Sequence, residues 1–210
     1  MHALIVVSHP VNTSLTHSVA AEIAQGIAKS SPQNTYEIAD IAQEGFDPVF
    51  SAPDMDAFQQ TGKTPPDVVA QQSRIDNADA LVLVFPIYWW SMPGLLKGWI
   101  DRVFSNGWAY EDTPDGSVIK KLGHLPVHII ALGGANQRTF EKHGYFDAFN
   151  AQIVHGIFDY CGAPVATSEI LLMPELKTPD AFLNTARHIG GRLFQTHHAS
   201  GRVCGARPII

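Results

Sequence analysis

The chain is 210 residues long, 45% hydrophobic and 16% charged, with a formal net charge of −6. That length holds one sizeable core and is short for two domains, and the apolar fraction excludes a disordered chain. The acidic balance argues against nucleic acid or an anionic membrane as the main partner. Cys161 and Cys204 are too few and too far apart for a disulfide framework or zinc site, which fits a reduced cytoplasmic protein. The N-terminus enters Ala3–Val7 with no basic n-region, so no signal peptide is expected, and no apolar run approaches the roughly 18 residues of a membrane span.

In chain order, Ala3–Val7 is a short aliphatic strand. Ser8–Ser14 follows as a turn rich in capping residues. A helix then runs to about Lys29, with Leu15, Val19, Ile23 and Ile27 at four-residue spacing. Thr35–Ile41 is a second strand. Gln43–Thr64, with Pro48, Pro53 and Gly62, exceeds the usual loop length and implies a functional excursion or a short helix. A helix over Pro65–Asn77 leads into the third strand, Ala80–Phe85, apolar throughout and therefore buried on both faces.

Pro86 has no N–H for the ladder and stops that strand. Ser91 is the expected cap of the next helix, with Pro93 in its first turn. Leu95, Leu96, Trp99, Ile100 and Val103 give that helix an apolar stripe through Phe104. Between strand and helix stands Ile87-Tyr88-Trp89-Trp90, aromatic area that is costly to expose and asks for a flat cover. Ser105–His124 is polar and turn-rich. Pro126–Leu132 is the fourth strand, Gly133–His143 a loop, Tyr145–Cys161 a helix, Val165–Met173 the fifth strand and Pro179–Phe194 the last helix. Residues 1–195 form one domain, and 196–210 a weakly patterned C-terminal tail.

Five strands alternating with five helices give an α/β class: a doubly wound, five-stranded parallel sheet with helices on both faces. Such sheets bind ligands outside the carboxyl ends of the strands, near the switch point. Three loops leave those ends with unusual chemistry. His9 to Thr16 puts hydroxyls and unpaired backbone N–H groups at a helix N-terminus, which suits phosphate. Pro86–Ser91 offers aromatic area and N–H groups. Gly133-Gly134 lets the backbone approach a ligand closely. There is no G-x-G-x-x-G, Walker loop, G-x-S-x-G elbow or H-E-x-x-H pattern, and Cys161 reads as a small buried residue.

Leu4–His9 with Thr13-Ser14, the run from Phe85 to Trp90, the block Pro93-x-Leu-Leu-Lys-Gly-Trp-Ile-Asp-Arg-Val-Phe104, and Gly107-Trp-Ala-Tyr110 resemble the flavodoxin-like NAD(P)H:quinone oxidoreductase family. That family includes quinone and drug reductases and ancillary subunits of bacterial potassium-efflux systems. The resemblance implies bound FAD, or FMN as in some bacterial members, NAD(P)H as co-substrate, a quinone-like acceptor, ping-pong turnover and a homodimer. Carried over by position, His9, Thr13, Ser14, Leu15 and Thr16 hold the phosphates. Pro86, Ile87, Tyr88, Trp89 and Trp90 hold the ring system, with Gly133, Gly134 and Phe140 closing on it. Trp108 and Tyr110 reach a substrate pocket, the neighbouring subunit's, and His143, displaced in register from the family's histidine, joins them as the catalytic candidates. The resemblance also moves part of the Trp99–Ile100–Val103 helix face to the subunit interface. The alternative is a regulatory subunit of a membrane ion-efflux system that keeps the fold and binds a transporter.

Overall fold

A computed structural model describes residues 1–176 and 178–195; the expected tail, with His197, His198 and Cys204, lies outside them. The chain begins β1 (His2–Val7), α1 (Leu15–Ser30), β2 (Thr35–Asp40), α2 (Ala52–Phe58) and α3 (Pro66–Asp76). It continues with β3 (Ala80–Pro86), α4 (Gly94–Val103) and a hairpin of β4 (Tyr110–Asp112) and β5 (Val118–Lys120). Next come β6 (Val127–Gly133), α5 (Gln137–His143) and α6 (Tyr145–Phe149), which runs on as a π-helix over Asn150–Asp159. The last elements are β7 (Val165–Leu172), α7 (Met173–Leu176) and α8 (Pro179–Arg192).

Five strands pair in parallel in the order β2-β1-β3-β6-β7. The order reverses between β1 and β3, so their carboxyl ends flank the crevice where doubly wound sheets bind ligands. Side chains alternate across the central strands. Ala3, Ile5 and Val7 with Val82 and Val84 pack under α1 and α8. Leu4 and Val6 with Leu81, Leu83 and Phe85 pack under α4 and the π segment. Both faces are covered, which is why these strands are apolar without interruption.

The α1 stripe behaves as its spacing dictates, with Val19, Ile23 and Ile27 fully buried. Gly26 and Gly190 sit where α1 meets α8: a Cβ at either would overlap backbone atoms of the other helix. In the π segment the buried residues are Ile153 and Phe158, five apart, as that wider turn requires.

Four expectations change. Ser91 does not cap α4. It exchanges two backbone hydrogen bonds with Tyr88, each 3.1 Å, and the helix starts at Gly94 after Pro93. The Gln43–Thr64 excursion contains α2, the short helix its length implies, pinned by Arg102 of α4, whereas the polar Ser105–His124 stretch gains the β4–β5 hairpin. The Gly133–His143 loop ends in α5, where Asn136 Oδ1 accepts from Thr139 N–H at 3.0 Å; only Phe140 is buried, too little for a periodic signal. Trp99 and Val103, assigned in part to a subunit interface, are fully buried within the single chain, because α4 lies directly on the sheet. Among the described residues no helix is long and apolar enough to cross a membrane.

Candidate active site

The strand ends pin the three loops side by side. Ser8 N–H donates to Val84 O at 3.1 Å, and Ile87 N–H to Leu132 O at 2.8 Å, so β1, β3 and β6 deliver their loops to one edge.

The first loop closes on α1. Ser14 is its N-cap, with Oγ accepting from His17 N–H at 3.3 Å. Ser18 N–H goes to Ser14 O at 3.1 Å, which leaves the N–H groups of Leu15 and Thr16 without intrahelical acceptors. His9 is folded over the loop, its Nδ1 accepting from Val11 N–H at 3.0 Å. Thr13 is exposed, Leu15 half-buried and Thr16 buried. Ser8 Oγ, at the foot of the loop, is buried with no hydrogen-bond partner among the described residues.

The second loop is a tight two-residue turn. Trp89 and Trp90 have φ of 50° and 66°, and the reciprocal Tyr88–Ser91 bonds complete a type I′ form. That turn ordinarily takes Asn and Gly; a bulky side chain in the left-handed region costs of order 1–3 kcal/mol. Trp89 is 93% exposed, while Trp90 folds inward. Its ring stacks on Tyr145 at 3.9 Å and meets Phe140 edge-on at 5.5 Å.

The third loop carries Gly133 and Gly134 in different roles. A Cβ on Gly133 would strike Leu172 at 2.7 Å, so this glycine serves packing. A Cβ on Gly134 would meet nothing within 4 Å, so this one keeps space open. Together Ile87, Trp89, Trp90, Gly133, Gly134, Ala135 and Phe140 line a cleft of about 210 Å³.

Six of the expected ring-binding residues therefore converge, with Pro86 and Tyr88 framing the turn and the α1 N-terminus beside them. The three expected catalytic residues stand elsewhere in this chain. Trp108 donates its indole N–H to Asp76 Oδ1 at 3.1 Å and packs edge-on against Phe104. Tyr110 is buried beside Tyr160 in a second, apolar groove of about 380 Å³ lined also by Phe50, Met55 and Phe58, and burial pushes its hydroxyl up to about 12. His143 is exposed and stacked 5.4 Å from Tyr145. No motif in the sequence singles out His17 or Asp40. The nearest signal is that His17 follows Ser14 by three residues, the spacing of a capping box.

Residues 1–188 match the model of a protein family described as the flavodoxin-like fold. The chain belongs to that family. An uncharacterised NAD(P)H oxidoreductase of Haemophilus influenzae is 29% identical to it over 164 residues, 77% of this chain and 79% of that protein. The solved NAD(P)H:quinone oxidoreductase from Methanothermobacter marburgensis superposes with a TM-score of 0.80 at 23% identity, over 92% of this chain and 98% of that one. An FMN-dependent NADH-azoreductase from Bacillus anthracis, solved in complex with FMN, gives 0.71 at 16% identity, over 91% of this chain and 98% of its own. At those identities the two structures speak to the fold.

Proposed function

We propose that this chain is a flavin-dependent NAD(P)H oxidoreductase that reduces quinones or related electrophiles by two electrons. The observation that carries this reading is the pairing of a flat, aromatic cleft with an unpaired helix N-terminus at the β1/β3 switch point. The residues fit a flavin. Trp90, Ile87 and Phe140 offer apolar wall, Gly134 leaves room for a ring edge, and the central N–H groups of the 88–91 turn are left unpaired by its geometry. Leu15 and Thr16 N–H, at the positive end of α1, suit a phosphate. A flavin in this cleft would supply two-electron exchange between NAD(P)H and the acceptor.

The chain's own part is to bind, orient and exclude water. Trp90 is fixed between Tyr145 and Phe140, so the wall it presents is rigid, while Trp89 stands at the open rim. NAD(P)H and acceptor use this cleft in turn, and the kinetic order is ping-pong. The protein acts as a homodimer, with Trp108 and Tyr110 of one chain serving the cleft of the other; their distance from their own cleft supports this. Relatives named as NAD(P)H oxidoreductases support the reductant.

The purified protein should show flavin absorption bands, bleach with NADH or NADPH, and regain colour with a quinone. Protein that stays colourless after incubation with FAD and with FMN overturns the proposal. The mass of the released cofactor distinguishes FAD from FMN.

A further inference from the structure

Beside the α1 N-terminus three side chains form a relay that the proposed redox chemistry leaves unused. Ser14 Oγ and His17 Nδ1 are 2.8 Å apart, and His17 Nε2 lies 2.6 Å from Asp40 Oδ2. The His17 and Asp40 side chains are only 16% and 18% exposed. The sheet brings them together: Asp40 ends β2 opposite Val7 of β1, the residue from which the first loop departs. Asp40 is oriented by its other oxygen, since Oδ1 accepts from the N–H groups of Ala42 and Gln43, both at 3.2 Å.

Hydrogen-bond polarity then dictates the rest. A carboxylate only accepts, so His17 Nε2 carries a hydrogen and donates it. In the neutral ring Nδ1 is an acceptor, and Ser14 must donate its hydroxyl hydrogen inward. Ser14 Oγ also accepts from His17 N–H. What remains outward is a lone pair, the wrong polarity for an anion at this helix end. A second proton on the ring reverses the chain: Nδ1–H donates to Ser14 Oγ, and the hydroxyl hydrogen turns outward. Among the described residues the titratable groups facing His17 are Asp40 from β2 and His9 from the loop, its ring edge-on at 6.1 Å. The Arg187–Glu22 pair that ties α8 to α1 lies more than a turn further along.

We propose that His17, oriented by Asp40, takes a proton from solvent when a phosphate docks at the α1 N-terminus, and so converts Ser14 from an inward donor into a phosphate donor. His17 is thus a positioning residue acting through Ser14. The proposal rests on the flavin reading above and concerns only its phosphate end.

The test is titration calorimetry of the flavin-free protein with FMN and with riboflavin, which lacks the phosphate. It is run in buffers of different ionisation enthalpy at a single neutral pH. FMN should take up close to one proton per site and riboflavin none. His17→Gln should abolish the uptake and weaken FMN about tenfold while leaving riboflavin affinity unchanged, which also reports an intact fold. Asp40→Asn is the sharper variant. Its carbonyl must take the place of Oδ1, where Ala42 and Gln43 donate, so its NH₂ faces Nε2 and forces the hydrogen onto Nδ1. Ser14 is then already turned outward, and FMN should bind with wild-type affinity or better and no proton uptake. FMN binding to wild type without proton uptake overturns this proposal alone. Failure of FMN, riboflavin and FAD alike to bind overturns the flavin reading and this proposal with it.

Discussion

At the scale of single residues, the Trp89–Trp90 turn trades stability for display. Both residues sit in the left-handed region, yet Trp89 is almost wholly exposed and gains little packing in return. Asparagine tolerates that conformation because its short polar side chain bonds locally. Trp89→Asn should therefore stabilise the flavin-free protein by about 1 kcal/mol, a rise of roughly 2–4 °C in Tm for a domain of this size. The same change should lower flavin content at purification. Scanning calorimetry and the visible spectrum check the two halves; a fall in Tm removes the claim that this turn is strained. The two glycines of the third loop make a complementary pair. Gly134→Val projects into open space and should fold with unchanged Tm while failing to retain flavin. Gly133→Val drives a side chain into Leu172 and should lose stability before any question of binding arises.

At the scale of elements, Arg102 organises the excursion that precedes α3. Its guanidinium, buried on α4, meets Asp54 of α2 at 3.0 Å, Asp67 of α3 at 2.7 Å and the carbonyl of Asp47 at 2.8 Å. Arg102→Met leaves Asp54 buried without its cationic partner, and should destabilise the chain by about 3–5 kcal/mol in a denaturant melt. Asp54→Asn in that background should recover part of the loss. Burial pushes the Asp54 carboxyl up, but hydrogen bonds from Ser51 and the Arg102 guanidinium outweigh it and hold the group below its usual range. A depressed carboxylate contributes stability above its unfolded pKa of about 3.9 and loses it as pH falls through the folded value. Wild type should thus weaken on acidification below pH of about 4, and Asp54→Asn should flatten that slope.

These elements also show what was legible in the sequence. The β1, β3 and β6 strands are apolar on both faces, so their runs stand out, and the α1 stripe at Leu15, Val19, Ile23 and Ile27 is periodic enough to read directly. Helix α2 was left open because it buries little besides Asp54 and Ala57, and one of those is a charge satisfied by a residue 48 positions away. Ser91 looks like a cap by type, but the turn claims its backbone first. The ring-binding cleft was legible because its residues follow strand ends directly. The Ser14–His17–Asp40 relay was not, since Asp40 arrives through strand register, which no local pattern reveals.

At the scale of the molecule, the two grooves of the chain have different chemistry, and that difference bears on assembly. The 210 Å³ cleft is framed by strand-end loops, whereas the 380 Å³ groove is built from α2, α4, Tyr110 and the π segment. Phe50, Met55, Phe58 and Tyr160 are all exposed there, an apolar patch of the kind that marks a protein contact. If the proposed homodimer uses this face, a charge within it should separate the chains without touching the cleft. Phe58→Asp is the suitable change, because Phe58 is 40% exposed and its removal opens no core. The variant should elute as a monomer in size-exclusion chromatography with light scattering, keep its flavin, and reduce quinone at least tenfold more slowly than wild type, because Trp108 and Tyr110 no longer reach the neighbouring cleft. A monomer that turns over at the wild-type rate would show that each chain's site is complete by itself, and Trp108 and Tyr110 would then revert to their local roles on Asp76 and Tyr160.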